Sequence, residues 1–184
     1  MGSKLSDYEN IVARELFKDP DISLEDIARV LNEEKKLELD SQKIQEYKRP
    51  VSKYKSVCLK KIDRGLEALA DVLRLDYSIQ GRTKEDREKD KKKEEILRKN
   101  GILRGYDFRS DRIVYVFYST SKQEYSHWPD HVCTEQCEDQ CLDDLRLIRE
   151  EHSLGKPGKD SIRIQFIKTI EEIIERNKDR DNYE

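Results

Sequence analysis

The segment HWPDHVCTEQCEDQC, residues 127–141, holds three of the four cysteines and two of the three histidines of this 184-residue chain. Thiolates and imidazoles at this density can bind a metal, change redox state, or pack. On a helix, a step of four residues turns about 400°, so side chains drift only about 40° per step. Cys133, Cys137, Cys141, Leu145 and Ile148 then form one stripe, with Thr, Glu, Gln and Asp between the cysteines. Free cysteine serves well as a small hydrophobe in such a stripe. Sulfurs eight residues apart lie about 12 Å apart along the axis. One tetrahedral zinc, with bonds of about 2.3 Å, can therefore take only two of them from a straight helix. Cys137 and Cys141 form the expected pair, with His127, His131 or Cys133 completing a structural zinc site. The packed stripe is the first expectation, structural zinc the second, and thiol oxidation the third.

A second concentration is one of charge. Residues 42–64 hold eight positive side chains (Lys43, Lys48, Arg49, Lys53, Lys55, Lys60, Lys61, Arg64) against Glu46 and Asp63. Residues 1–41 hold six positive and eleven negative. A local excess of about six positive charges, in a chain of net charge -3, is the footprint of phosphate contact. Tyr47 and Tyr54 lie within it, placed either to stack on a ligand or to fill an apolar seam. Catalytic patterns are sparse. There is no glycine-rich phosphate loop and no serine-nucleophile motif, so no enzyme activity is expected. Asp107 and Asp111, near Lys122 and Glu124, have a nuclease-like composition, but turn chemistry explains them more simply. His152 sits at a helix C-terminus, where a cation favours the dipole, and is expected to cap it.

These residues need elements to position them. Ser6-Asp7-Tyr8-Glu9 reads as a capping box opening a helix with Ile11, Val12, Leu16 and Phe17 on one face. A second cap at Ser23 opens a helix carrying Leu24, Ile27, Ala28 and Leu31 and ending near Asn32. After a long linker, Asp40 or Ser41 caps a third helix, with Ile44 and Tyr47 inward. Pro50 inside a helix costs about 3 kcal/mol, but little as a first residue. A break is therefore expected at Arg49–Pro50, followed by a long helix to about Tyr77. Its seam of Val51, Tyr54, Cys58, Ile62, Leu66, Leu69 and Val72/Leu73 is interrupted weakly by Gly65 and is expected to dimerise.

Residues 83–99 are almost wholly charged and mark a connector. Asn100–Gly101 reads as a helix C-cap. The runs ILRGYDF and RIVYVFYST, joined by RSD, predict a hairpin, the second strand apolar on both faces and so covered on both. A helix opening at Pro129 or Asp130 runs to about His152; SLGKPGK is a loop; a last helix spans Ile162 to about Arg176. No stretch approaches the roughly 18 apolar residues of a membrane span, and no signal-peptide pattern opens the chain. The expectation is a cytoplasmic protein with reduced thiols.

The pair DISLEDIARVLN and DSQKIQEYKRPVSKYK resembles the helix-turn-helix and winged-helix class of DNA-binding domains, over roughly residues 6–57. The resemblance implies a support helix carrying Ile27–Ala28 and a recognition helix in the major groove of double-stranded DNA. Ser41, Gln42, Lys43, Gln45 and Glu46 would then face base edges, and Lys48, Arg49, Lys53 and Lys55 the phosphates. The linker NEEKKLELD is longer than the three or four residues usual between such helices. The expected architecture is mainly α with a small β-hairpin or sheet, an α+β chain. Residues 1–80 would be the DNA-binding module with its long dimerisation helix, 81–100 the connector, and 101–184 an α+β assembly or sensing module. The expected function is that of a sequence-specific DNA-binding protein, a microbial or viral transcriptional regulator working as a homodimer. Alternatives are a phage-type DNA-packaging recognition subunit and a protein-interaction adaptor or inhibitor.

Overall fold

The computed structural model describes residues 4–78, 84–130 and 138–178. Six helices and a three-stranded antiparallel sheet follow in the order α1 (Asp7–Lys18), α2 (Leu24–Lys35), α3 (Ser41–Leu73), α4 (Lys84–Lys99), β1 (Ile102–Asp107), β2 (Arg112–Ser119), β3 (Glu124–Pro129), α5 (Glu138–Glu151), α6 (Ile162–Lys178). The mainly helical class with a small sheet is as expected. No described helix is long and apolar enough to cross a membrane.

The helix starts follow their caps. The Ser6 N–H donates to Glu9 Oε2 at 2.7 Å and the Glu9 N–H to Ser6 Oγ at 3.3 Å, a complete capping box. Ser23 and Asp40 accept from the N–H of Asp26 and Lys43. α2 outruns its expected end at Asn32 by three residues and closes with Lys36 in the left-handed region. This leaves a turn of only Lys36–Asp40, clamped by Asn32, whose side chain exchanges two hydrogen bonds with the Leu39 main chain.

Pro50 does not break the chain. α3 is one 33-residue helix with Pro50 inside it, so the expected break at Arg49–Pro50 is absent. The apolar seam explains why. Ile44 before the proline and Val51, Cys58, Ile62 and Leu66 after it enter the same core. Each buried aliphatic side chain contributes about 1.5–3 kcal/mol, which offsets the roughly 3 kcal/mol cost of the proline. Nor is this seam left for a second copy of the chain. Val51, Cys58, Ile62, Leu66 and Ala70 are fully buried against α1, α2 and the sheet of the same chain, which corrects the expected dimerisation helix. α3 ends at Leu73 rather than Tyr77, with Arg74 left-handed and Leu75 turned back into the core.

β1 and β2 form the expected hairpin, and β3 extends it into a three-stranded meander, β1–β2–β3. Residues EYSHWP pair with β2 from Ser119↔Glu124 to Val114↔Pro129, so Pro129 closes a strand where a helix start was expected. Leu103, Val114, Val116 and Tyr118 belong to a core with α1, α2 and α3. Ile102, Tyr115, Phe117 and Trp128 belong to a second core with Ile96 and Leu97 of α4 and the inner faces of α5 and α6. There Trp128 stacks on Phe166, with centroids 4.0 Å apart. β2 is therefore covered on both faces, as its composition predicts. Tyr125 on β3 lies so close to α3 that a Cβ on Gly65 would come within 2.1 Å of its ring. Gly65 is thus a contact point, not a weak interruption.

Candidate nucleic-acid interface

At about 100° per residue, the core-facing side of α3 is set by Ile44, Val51, Cys58 and Ile62. The opposite side carries Gln42, Arg49, Lys53, Lys60 and Arg64, all exposed and within about 60° of arc. Among the described residues, Arg49, Lys53, Lys60 and Arg64 have no ion pair. Two lysines on the flanks, Lys48 and Lys61, are engaged. Lys61 meets the buried carboxylate of Glu9 at 2.7 Å. Burial alone would raise that carboxyl, but Lys61 and the Ser6 N–H hold it below its ordinary range.

The expected site residues divide accordingly. Ser41, Gln42 and Lys43 are exposed on the first turn of α3, Lys43 within 3.7 Å of the capping carboxylate of Asp40. Gln45 donates to Glu25 on α2, and Lys48 meets the same carboxylate at 3.2 Å. Arg29, Gln45 and Lys48 together hold the Glu25 carboxyl at about 2. Gln45 and Lys48 therefore fasten α3 to α2. Arg49 and Lys53 stand on the outer face, and Lys55 is half-buried towards the seam. Glu46 is exposed beside Gln42. Tyr47 and Tyr54 are half-buried against the core, Tyr54 stacked on Tyr8, so their role is in the seam. Burial, with Tyr54 and Tyr8 beside it, pushes the Tyr47 phenol up to about 12.

Lys60 and Arg64 extend the face beyond the residues that the helix-turn-helix pattern selects. The signal that finds them is their seven- and eleven-residue spacing from Lys53, which returns to the same side of an unbroken helix. Reading a break at Pro50 hides that continuity. The positive stretch is bounded at both ends. Asp40 and Glu46 lie before it, Asp63 beside its last cation and Glu67 after it; Arg98 of α4 takes Asp63 and Glu67 at 2.7 and 2.8 Å.

Of the five metal candidates, the two among the described residues, His127 and Cys141, are not brought together. His131, Cys133 and Cys137 lie outside the described residues. His127 is exposed on β3, not in a loop, and pairs with Val116. Paired residues share a sheet face and faces alternate along a strand. His127 thus takes the side of the first core, whereas its neighbour Trp128 enters the second. Cys141 is buried in that second core with Leu145 and Ile148, the described end of the expected apolar stripe. The sheet stands between His127 and Cys141, so His127 cannot complete a site with that cysteine. Cys58, the fourth cysteine, is buried, and desolvation pushes its thiol up to about 12.

His152 is no cationic cap. It is buried, stacked on Phe17 at 5.3 Å, and burial lowers its pKa to about 4, with the positive Arg176 beside it. Asp107 accepts from the Arg109 main chain and side chain and from Ser110, and Asp111 accepts from Tyr106. Both aspartates serve the β1–β2 turn. Lys122 pairs instead with Asp144 of α5.

Compared with known proteins, the chain matches no family model, no curated protein and no solved structure.

Proposed function

We propose that this protein binds double-stranded DNA through the outer face of α3. The observation that carries the reading is the row Arg49, Lys53, Lys60 and Arg64, exposed on one side of a rigid helix without a carboxylate partner among the described residues. Of the other four cations on α3, Lys43, Lys48 and Lys61 each meet a carboxylate, and Lys55 is half-buried towards the seam. Cations left in water at regular spacing on a face supported from behind are placed to displace counterions from a polyanion. The caps at Ser23 and Asp40 and the short Lys36–Asp40 turn support the same reading, because they bring α2 behind α3 as in helix-turn-helix domains.

Fluorescence anisotropy with a labelled 24-base-pair duplex, at roughly 50 and 200 mM salt, tests it. Affinity is expected to fall steeply between the two. The quadruple change Arg49→Glu, Lys53→Glu, Lys60→Glu and Arg64→Glu is expected to abolish binding with the circular dichroism spectrum unchanged. Binding that survives the four changes, or no salt-dependent binding by the native chain, would overturn the reading and favour a protein-interaction role.

A further inference from the structure

We infer that α3 rests across the two phosphate backbones of a duplex and holds it independently of base sequence. This rests on the proposed DNA binding through α3 and concerns what that face can read.

The four cations form two pairs, Arg49 with Lys53 and Lys60 with Arg64. Members of a pair are four residues apart, about 6 Å along the axis, and the pair centres are eleven residues apart, about 16 Å. A B-form major groove is about 12 Å wide between its phosphate walls, so each pair can stand over one wall. The exposed residues between Lys53 and Lys60 decide what could enter the groove. Ser56 is the exposed one on this face, and a short hydroxyl on a helix held up by four long side chains does not reach the base edges. Side chains that discriminate bases well are arginine, lysine, asparagine and glutamine aimed into the groove. Of these, Lys55 alone lies between the two pairs, and it is half-buried on the core side of the helix, turned away from this face.

The end of α3 that helix-turn-helix proteins insert is also poorly suited to insertion here. Gln45 is held by Glu25, and Lys48 is spent on the same carboxylate. Asp40, Glu25 and Glu46 place carboxylates around the first two turns, where they oppose entry between two rows of phosphates. Cations without an ion pair begin only at Arg49, two turns along, after Lys43 and Lys48 have each met a carboxylate. The electrostatic optimum is therefore contact by the middle of the helix, lying over the groove.

The test uses the full chain and three duplexes of equal length: mixed sequence, dA·dT only, and alternating dG·dC. Dissociation constants are expected to agree within about threefold. The slope of log affinity against log salt is expected at roughly −3 to −4, from four neutralised phosphates, and Lys60→Gln is expected to reduce it by about 0.9. Selection from a randomised duplex pool is expected to enrich no motif. A motif enriched more than 100-fold over random duplex, with Gln42→Ala erasing that preference, would show base reading by the first turn and overturn the inference while leaving DNA binding intact. Tighter binding to single-stranded RNA or DNA of the same length than to duplex would also overturn it, because a single strand offers no second wall. No salt-dependent binding to any of them removes the proposed function, and this inference with it.

Discussion

α3 and α4 are both lysine-rich helices, yet they use charge in opposite ways. In residues 42–64 eight positive side chains face two negative ones; in α4 eight face six. On α4 lysines and carboxylates alternate at three- and four-residue spacing, so each exposed cation has acidic neighbours on its own face. On α3 the outer face from Arg49 to Arg64 is free of carboxylates, and four cations share it. The helices also differ in anchorage. The inner face of α3 is buried from Ile44 to Ala70, whereas α4 is held chiefly by its last turn, through Ile96, Leu97 and Arg98. The lesson is that segregation of sign on a supported face, not the number of lysines, is what sets α3 apart as the candidate surface.

The largest expected effect tests whether stability and binding are separable. The folded pKa of His152 lies near 4, below the ordinary 6.5, so the unfolded chain takes up the proton first. The fold therefore loses stability as pH falls from about 6.5 to about 4, by about 3 kcal/mol, and none through this group above 6.5. Urea titrations at pH 7.5 and 4.5 read that loss, and His152→Phe should flatten it. Between pH 8 and 6.5 DNA affinity through α3 should stay constant; a rise there would mean that a titrating group shares the binding face.

Next in size is a matched pair of charge reversals. Lys53→Glu with Lys60→Glu is expected to weaken duplex binding by roughly 30-fold or more, about 2 kcal/mol, as two phosphate contacts turn repulsive. Lys89→Glu with Lys92→Glu on α4 should change it less than threefold. Equal losses from the two helices would show that overall charge, not the α3 face, governs binding. Gly65→Ala probes the inner side of α3. The new methyl displaces the Tyr125 ring, with an expected loss of about 1–3 kcal/mol in thermal unfolding, and Tyr125→Leu in the same chain should restore part of it. The smallest effect is at the joint between the helices. Arg98→Ala removes the ion pairs with Asp63 and Glu67 and the contact with Tyr77, on a partly exposed surface. It should cost about 1 kcal/mol or less. It also frees two carboxylates beside Arg64, so duplex affinity should fall slightly rather than rise.

Much of this was legible where the determinants are local. Ser6, Ser23 and Asp40 cap their own helices, and the alternation of β2 announces two buried faces. Features set by distant partners were not legible. Pro50 stays helical because Ile44 and Val51 reach one core across it, which no window around the proline reveals. EYSHWP becomes a strand because β2 offers it an edge, while its proline suggests a helix start. His152 is neutral because Phe17 and Arg176, from elements far along the chain, enclose it. At the candidate interface the positive charges were visible. Their neutralisation was not: Gln45 and Lys48 meet Glu25 from another helix, and Lys61 meets Glu9 across 52 positions of sequence. Removing Gln45 and Lys48 from the expected interface and adding Lys60 and Arg64 moves it about two turns along α3.

β2 supplies Val114, Val116 and Tyr118 to one core and Tyr115 and Phe117 to the other. A strand common to two cores is a thermodynamic coupling. Neither core can lose its half of β2 without stripping the other, so the halves of the chain should melt together. Calorimetry should record one transition whose van't Hoff and calorimetric enthalpies agree. The amides of β2 should exchange only by global unfolding, the slowest in the protein, although they lie between segments that sequence alone divides into modules.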